Sequence, residues 1–139
     1  MKKLNWLALS ICLFLIMASG CSKSDESKSI YEEVKKQHTD GRALMKTFTD
    51  EVQKVAVGKS KSIKGLQDNL KKLEDFVRAS RAKTGKFKGE ASQTAKDLLQ
   101  RNSELLDLMD KRLIKKEFPK MIEILDDPTT SPNQKNRQL

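Results

Sequence analysis

The stretch that decides the fold runs from residue 30 to residue 57 and reads IYEEVKKQHTDGRALMKTFTDEVQKVAV. Its apolar side chains recur at steps of three and four residues, which is the spacing of one face of an α-helix. The spacing is interrupted between Gln37 and Gly41, and a glycine inside a helix costs about 1 kcal/mol relative to alanine. The stretch therefore predicts a long amphipathic first helix that either bends at Gly41 or lets a neighbouring element approach closely there. The apolar positions are Ile30, Val34, Leu44, Met45, Phe48, Val52, Val55 and Ala56.

A second amphipathic helix is predicted directly after the first. Gly58 is placed to end the first helix, and Ser60 or Ser62 is placed to cap the next one. We expect this helix to end near Lys83, ahead of Gly85. Its apolar positions are Ile63, Leu66, Leu70, Leu73, Phe76 and Val77.

A third helical pattern begins after the connection at 84–89, and Asn102 interrupts its apolar stripe. Pro119 lacks an N–H and restrains Phe118 away from helical angles, so the helix should kink there or restart with Pro119 in its first turn. The stripe comprises Ala91, Ala95, Leu98, Leu99, Leu105, Leu106, Met109 and Leu113, with Phe118, Met121, Ile122 and Leu125 in the last turns.

The fold class predicted from these patterns is all-α, because no alternating strand pattern of useful length occurs in the sequence. Short connections between three amphipathic helices favour a small up-down-up three-helix bundle with long first and third helices. The predicted division is a signal peptide at 1–20, a flexible tether at 21–29, the helical domain at 30–126 and a disordered tail at 127–139. An oligomeric coiled coil built on the long helix remains an alternative.

The first twenty residues have the pattern of an export signal. Lys2 and Lys3 precede an apolar run at 4–17, LNWLALSICLFLIM, and small residues follow it. The run is shorter than the ~20 residues that a membrane-spanning helix needs. An uncleaved signal anchor is therefore the weaker alternative.

The string Ala18-Ser19-Gly20-Cys21 resembles the lipobox of bacterial lipoprotein precursors, in which an aliphatic or small residue and two small residues precede a cysteine. The resemblance covers only residues 1–21, and Ala18 stands where leucine is commoner. It implies cleavage after Gly20, a diacylglyceryl group on the Cys21 thiol, and fatty acylation of the new amine with chains such as palmitate. Two or three acyl chains hold a protein to a bilayer where one chain is marginal.

The same resemblance predicts where the protein resides. Ser22 follows Cys21, without the aspartate that commonly retains lipoproteins in an inner membrane. In a host with two membranes, the outer membrane is implied. In a host with one, the protein is expected on the outer face of the plasma membrane.

The basic excess belongs to the exported part of the chain. Lysine and arginine number 28 against 19 acidic residues, a formal net charge of +9, and cleavage after Gly20 removes Lys2 and Lys3 to leave +7. One acid-free stretch lies between Asp75 and Glu90. Its candidate binding residues for an anionic surface are Arg78, Arg81, Lys83, Lys86, Phe87 and Lys88. A second basic group toward the far end comprises Lys111, Arg112, Lys115, Lys116 and Lys120. For both groups, a solvated face without a binding role is the alternative.

Catalytic patterns are not found in the sequence. His38 is the only histidine, and both cysteines, Cys12 and Cys21, lie within the first 21 residues. A histidine triad, a Cys-His dyad and a cysteine-based metal site in the body of the chain are thereby excluded. We expect no enzyme activity, no metal, no cofactor and, for want of aromatic stacking platforms, no nucleic-acid partner.

Two classes of function remain open at this level, and a mainly structural or stress role cannot be separated from the first of them by sequence. The first is a non-enzymatic envelope lipoprotein whose helices dock a partner protein, as an adaptor, pilotin, exclusion factor or assembly scaffold. The second is a basic module that binds an anionic envelope polymer or lipid headgroups. Cys21 would attach the protein to the membrane in both cases.

Overall fold

The computed structural model describes residues 25–60, 62–87, 91–131, 134–135 and 137. This part of the chain contains helices and no β-strand, which confirms the all-α prediction. The elements, in chain order, are α1 (Asp25–Ala56), α2 (Ile63–Thr84), α3 (Gln93–Leu108), a π-helical segment (Met109–Glu117) and α4 (Phe118–Asp126).

Helix α1 begins at Asp25, five residues ahead of the start expected at Ile30. Residues 25–29, the later half of the predicted flexible tether, are therefore helical. Asp25 and Glu26 lie in the first turn, where negative charge is favourable to the helix dipole. Ser27 is fully buried, and its Oγ accepts a hydrogen bond from the Ser92 backbone N–H at 2.9 Å. This tertiary contact helps to order the first turn of α1, although its residues are polar.

Helix α1 is continuous through Gly41, and a neighbouring helix approaches closely there, which is one of the two outcomes expected for this glycine. A Cβ built on Gly41 would lie 3.0 Å from both Cε1 and Cζ of Phe76 on α2. Such a distance is shorter than ordinary van der Waals contact, so the missing side chain is what admits the Phe76 ring.

Helix α1 ends as the sequence predicts, at a glycine in the left-handed region. Gly58 has φ +73°. Its N–H donates to the Val55 carbonyl at 3.0 Å, and the Lys59 N–H donates to the Lys54 carbonyl at 2.9 Å. These two bonds form a Schellman motif, which satisfies carbonyls that a helix end otherwise leaves unpaired.

Serine hydroxyls cap the next two helices. The Ser62 Oγ accepts a hydrogen bond from the Gly65 N–H at 3.2 Å, which selects Ser62 over Ser60 as the cap of α2. Helix α2 ends at Thr84, one residue beyond the predicted end. At the start of α3, the Ser92 Oγ accepts from the Ala95 N–H at 3.4 Å.

The third helical pattern contains a change of hydrogen-bonding pattern before its proline. Helix α4 starts at Phe118 with Pro119 in its first turn, as expected. The expectation that Pro119 keeps Phe118 away from helical angles is wrong, because Phe118 has φ −68° and ψ −41°. The nine residues before it are π-helical, and the Phe118 N–H donates to the Leu113 carbonyl, five residues back. A proline ring crowds the carbonyl four residues earlier, so the α-helical pattern is weakest just ahead of Pro119.

The core divides into two clusters of buried side chains. The large cluster centres on Phe48 and Phe118, whose rings stack with centroids 4.3 Å apart. It comprises Phe48, Ala56, Leu66, Leu73, Val77, Leu106, Met109, Ile114, Phe118, Ile122 and Leu125. The small cluster comprises Ile30, Tyr31, Val34, Ala91, Ala95 and Leu98.

The segment after α4 begins with a hydrogen-bonded turn, although disorder was expected from residue 127 onward. The Asp127 carboxylate accepts from the hydroxyl and N–H of Thr129 at 2.7 and 2.8 Å and from the Thr130 hydroxyl at 2.7 Å. The hydroxyls of Thr129 and Thr130 are the main reason that the pKa of Asp127 falls to about 2. Aspartate commonly organises such turns through its own side chain.

Candidate functional site

A layer of buried polar side chains separates the two clusters. The Asn102 Nδ2 on α3 donates to the Gln37 Oε1 on α1 at 2.9 Å. The Gln37 Nε2 donates to the Ser80 carbonyl on α2 at 3.4 Å and to the Glu33 carboxylate at 2.9 Å. Gln37, Ser80 and Asn102 are each at most 4% exposed. Three helices therefore meet at one polar layer, where the sequence showed interruptions in two apolar stripes.

His38 lies beside this layer in a narrow cleft. Burial lowers the pKa of His38, and the nearby Arg42 charge lowers it further. The cleft has a cavity volume of only about 10 Å³, far below the ~300–1,000 Å³ typical of small-molecule sites. Gly41 and Phe76 also line it, so the cleft is part of the helix packing described above.

Arg81, one of the candidate anion-binding residues, is held by acids of the same chain. Its Nη2 lies 2.6 Å from the Asp107 Oδ1 on α3, and its Nη1 lies 3.0 Å from the Asp110 Oδ2 in the π segment. The guanidinium thus clamps α2 to the junction between α3 and the π segment. Both partners are distant in sequence, and no local pattern identified them.

The pKa values around Arg81 reflect this pairing. Hydrogen bonds to Asp110 and then to Asp107 raise the pKa of Arg81. Hydrogen bonds from Lys111 and then from Arg81 lower the pKa of Asp107. Burial favours a higher pKa for Asp110, but hydrogen bonds from Arg81 and Lys115 outweigh it and the pKa is lowered. Arg81, Asp107 and Asp110 are therefore charged at neutral pH, and the two carboxylates are shared by Arg81, Lys111 and Lys115.

Two other candidate anion-binding residues of the stretch at 78–88 also have acidic partners. Arg78 pairs with Asp75 one turn earlier on α2. The Lys83 Nζ lies 3.5 Å from the Glu33 Oε1 on α1. Such pairs leave less free positive charge for an outside anion.

The remaining residues of that stretch differ from one another. Lys86 is exposed. Phe87 is half-buried and packs against the small cluster, which accounts for its side chain without any membrane contact. Lys88 lies outside the described residues, and so do Gly20 and Cys21. The structure therefore brings together only part of the predicted surface.

The second basic group divides into paired and unpaired cations. The Lys111 Nζ lies 2.8 Å from the Asp107 Oδ2, and the Lys115 Nζ lies 3.2 Å from the Asp110 Oδ1. Arg112, Lys116 and Lys120 are exposed and form no ion pair with any residue that the structure describes. We call these three residues the basic stripe.

Within the described ranges, no three His, Cys, Asp or Glu side chains are grouped as a metal site would require. Among the same residues, none of the helices combines the length and apolar character needed to cross a bilayer. Comparison with protein-family models, curated proteins and solved structures found no match to this chain.

Proposed function

We propose that this chain is an envelope lipoprotein, anchored through Cys21, whose helical domain is a non-catalytic interaction module. The observation that carries the proposal is Ala18-Ser19-Gly20-Cys21, placed directly after a charged and then apolar leader. The domain then acts as an adaptor, pilotin, exclusion factor or scaffold for another envelope protein. The protein is anchored in the outer membrane of a host with two membranes, or on the outer face of the plasma membrane of a host with one.

The proposed architecture is the up-down-up bundle expected from the sequence. Contacts of α1 with α2 support it, because Gly41 adjoins Phe76 whereas Glu33, eight residues earlier, pairs with Lys83, seven residues later. Contacts of α1 with α3 run in the same chain order, from Ser27 with Ser92 to Gln37 with Asn102. At 1.5 Å per residue, the 32 residues of α1 extend over about 48 Å.

The start of α1 limits how far the domain can stand from its anchor. Only residues 22–24 separate Cys21 from Asp25. A chain spans at most ~3.6 Å per residue, so the Cα of Asp25 stays within about 15 Å of the Cα of Cys21. The end of the domain with the small cluster then faces the bilayer, and the large cluster lies farther out.

The anchor is tested by a matched pair of cysteine variants expressed in a bacterial host. Cys21→Ser should release the protein from membranes washed with alkaline carbonate, because two or three acyl chains are lost. Cys12→Ser, a change of the same chemistry, should leave the protein membrane-bound. Mass spectrometry of the wild type should show an N-terminal Cys21 carrying diacylglyceryl and acyl groups.

Two results together would refute the anchor. One is a wild-type mass without lipid on Cys21, and the other is a Cys21→Ser protein that stays with carbonate-washed membranes. Cross-linking in the native envelope, followed by mass spectrometry, then identifies the partner. An adaptor should retain a partner protein in moderate salt, since apolar contacts are little screened.

A second candidate function is binding of an anionic envelope polymer or of lipid headgroups. The formal charge of +7 on the mature chain and the unpaired cations of the basic stripe favour it. The internal ion pairs of Arg78, Arg81 and Lys83 reduce the support for the 78–88 surface. Loss of binding at moderate salt is the expected signature.

A further inference from the structure

The basic stripe is a single row of cations on the solvent side of the last helical stretch. Arg112, Lys116 and Lys120 follow one another at four-residue steps, and each is exposed. Eight residues separate the first from the last, so the row is no longer than about 12 Å. Leu108, one step before Arg112, is 38% exposed and continues the same face.

The change from π-helix to α-helix at Phe118 straightens this row. In an α-helix, four residues turn about 400°, so positions four apart drift by about 40° per step. A π turn contains more residues, so four residues there fall short of a full turn. Arg112 and Lys116 lie in the π segment and Lys120 lies in α4. The angular drift from Arg112 to Lys116 is therefore opposite in sign to the drift from Lys116 to Lys120, and the two partly cancel.

The lysines on one side of the row are paired with acids of the chain. Lys111 and Lys115 are bound to Asp107 and Asp110, as described above. At the far end, Glu123 and Asp127 line the same shallow surface hollow as Lys120. On the face formed by the π segment and α4, the cations without an acidic partner among the described residues therefore lie along a narrow line.

We propose that the basic stripe binds a linear polyanion whose phosphate groups repeat along its chain. A flat anionic bilayer can be contacted by a two-dimensional basic face at once, whereas here Lys111 and Lys115 beside the row already have acidic partners. A tight protein interface is usually centred on buried aromatic or arginine anchors in a pocket, and this row has none. The inference rests on the proposed function only for the envelope source of the polymer.

The test measures binding of long-chain inorganic polyphosphate to the full mature chain in neutral detergent. The variant Arg112→Gln/Lys116→Gln/Lys120→Gln removes the row. Lys35→Gln/Lys71→Gln/Lys96→Gln removes the same charge from three exposed lysines on three different helices, none of which has an ion pair with a described residue. Circular dichroism confirms that both variants remain folded.

A cation near an anionic surface contributes about a fivefold gain in affinity. We therefore expect the stripe variant to lose about tenfold to a hundredfold in affinity, and the control variant to lose far less. The slope of log affinity against log salt should also become shallower in the stripe variant alone, since fewer counterions are released.

Equal losses in both variants would overturn the proposal, because net charge alone would then explain binding. A stripe-dependent signal on phosphatidylglycerol vesicles or on polyglutamate, without one on polyphosphate, would also overturn it in favour of a bilayer or an acidic protein. The Cys21→Ser chain should bind polyphosphate as the wild type does. Failure of lipidation is thus distinguishable from failure of the stripe.

Discussion

The two core clusters differ in the size and shape of the side chains that fill them. The large cluster contains two stacked phenylalanines together with leucines and isoleucines from α2, the π segment and α4. The small cluster includes Ala91 and Ala95, which leave little apolar surface to bury. Apolar burial contributes about 25 cal/mol per Å², so most of the stability lies in the large cluster. The end of the domain next to the proposed anchor is therefore the easier one to open.

The strongest test of this difference in stability is to make the same substitution in each cluster. Leu73 and Leu98 are both almost fully buried, in the large and the small cluster respectively. Leucine-to-alanine changes in cores cost about 2–5 kcal/mol, and the higher values occur where the surroundings cannot collapse. We expect Leu73→Ala to fall near the top of that range and Leu98→Ala near the bottom, by urea unfolding.

Hydrogen exchange gives the same pair of variants a second readout. Leu98→Ala should speed exchange in the first turns of α1 while leaving the amides around Phe48 protected. Leu73→Ala should speed exchange throughout the helices. Equal unfolding free energies, with uniform loss of protection in both variants, would mean that the two clusters form one indivisible core.

The polar layer between the clusters supplies a smaller effect. Asn102→Ala leaves the buried Gln37 Oε1 without its donor, which costs about 1–3 kcal/mol. Replacing both residues, as Gln37→Leu/Asn102→Leu, removes the polar groups together and should be nearly neutral or stabilising. The measurement is a double-mutant cycle in urea. A double variant as unstable as the sum of the single leucine variants would contradict the expected coupling.

The smallest effect concerns Arg81, which joins α2 to the large-cluster side of the layer. Arg81→Gln should raise the pKa of Asp107 and of Asp110 toward the ordinary value, measurable by carboxyl NMR titration. The folded-state pKa of both carboxyls is lowered, so their pairing stabilises the fold above ~pH 4 and is lost as the pH falls below that.

A matched control for Arg81 is Arg78→Gln, because Arg78 pairs only within its own helix. Arg81→Gln should cost less than Asn102→Ala but more than Arg78→Gln, since largely exposed ion pairs contribute little. If acid sensitivity between pH 5 and pH 2 were the same in wild type and Arg81→Gln, the clamp would have no role in stability.

Local features of the sequence were sufficient to predict much of the fold. Gly58, Ser62 and Pro119 specify helix boundaries through backbone geometry and capping, which depend on only a few neighbouring residues. The interruptions at Gln37 and Asn102 were visible as breaks in two apolar stripes. Their pairing was not, because it depends on how the helices pack.

Tertiary structure decided what the sequence could not. The start of α1 at Asp25 depends on the Ser27 contact with Ser92, which is 65 residues away in the chain. The division of the basic residues into paired and unpaired ones depends on which acids Arg81 and Lys83 meet across helices. The lipid on Cys21 stays a prediction, since it rests on the lipobox resemblance alone.

The Gln37 and Asn102 pair also has a consequence for which arrangement of α1 and α3 is allowed. Sliding one helix along the other by a turn would place Gln37 opposite Leu98 or Leu106, both buried and apolar. The Gln37 Oε1 and the Asn102 Nδ2 would then lose each other as partners, at about 1–3 kcal/mol each, whereas a wholly apolar seam would tolerate the slip. The hydrogen bond between Gln37 and Asn102 thus favours a single alignment of the two helices.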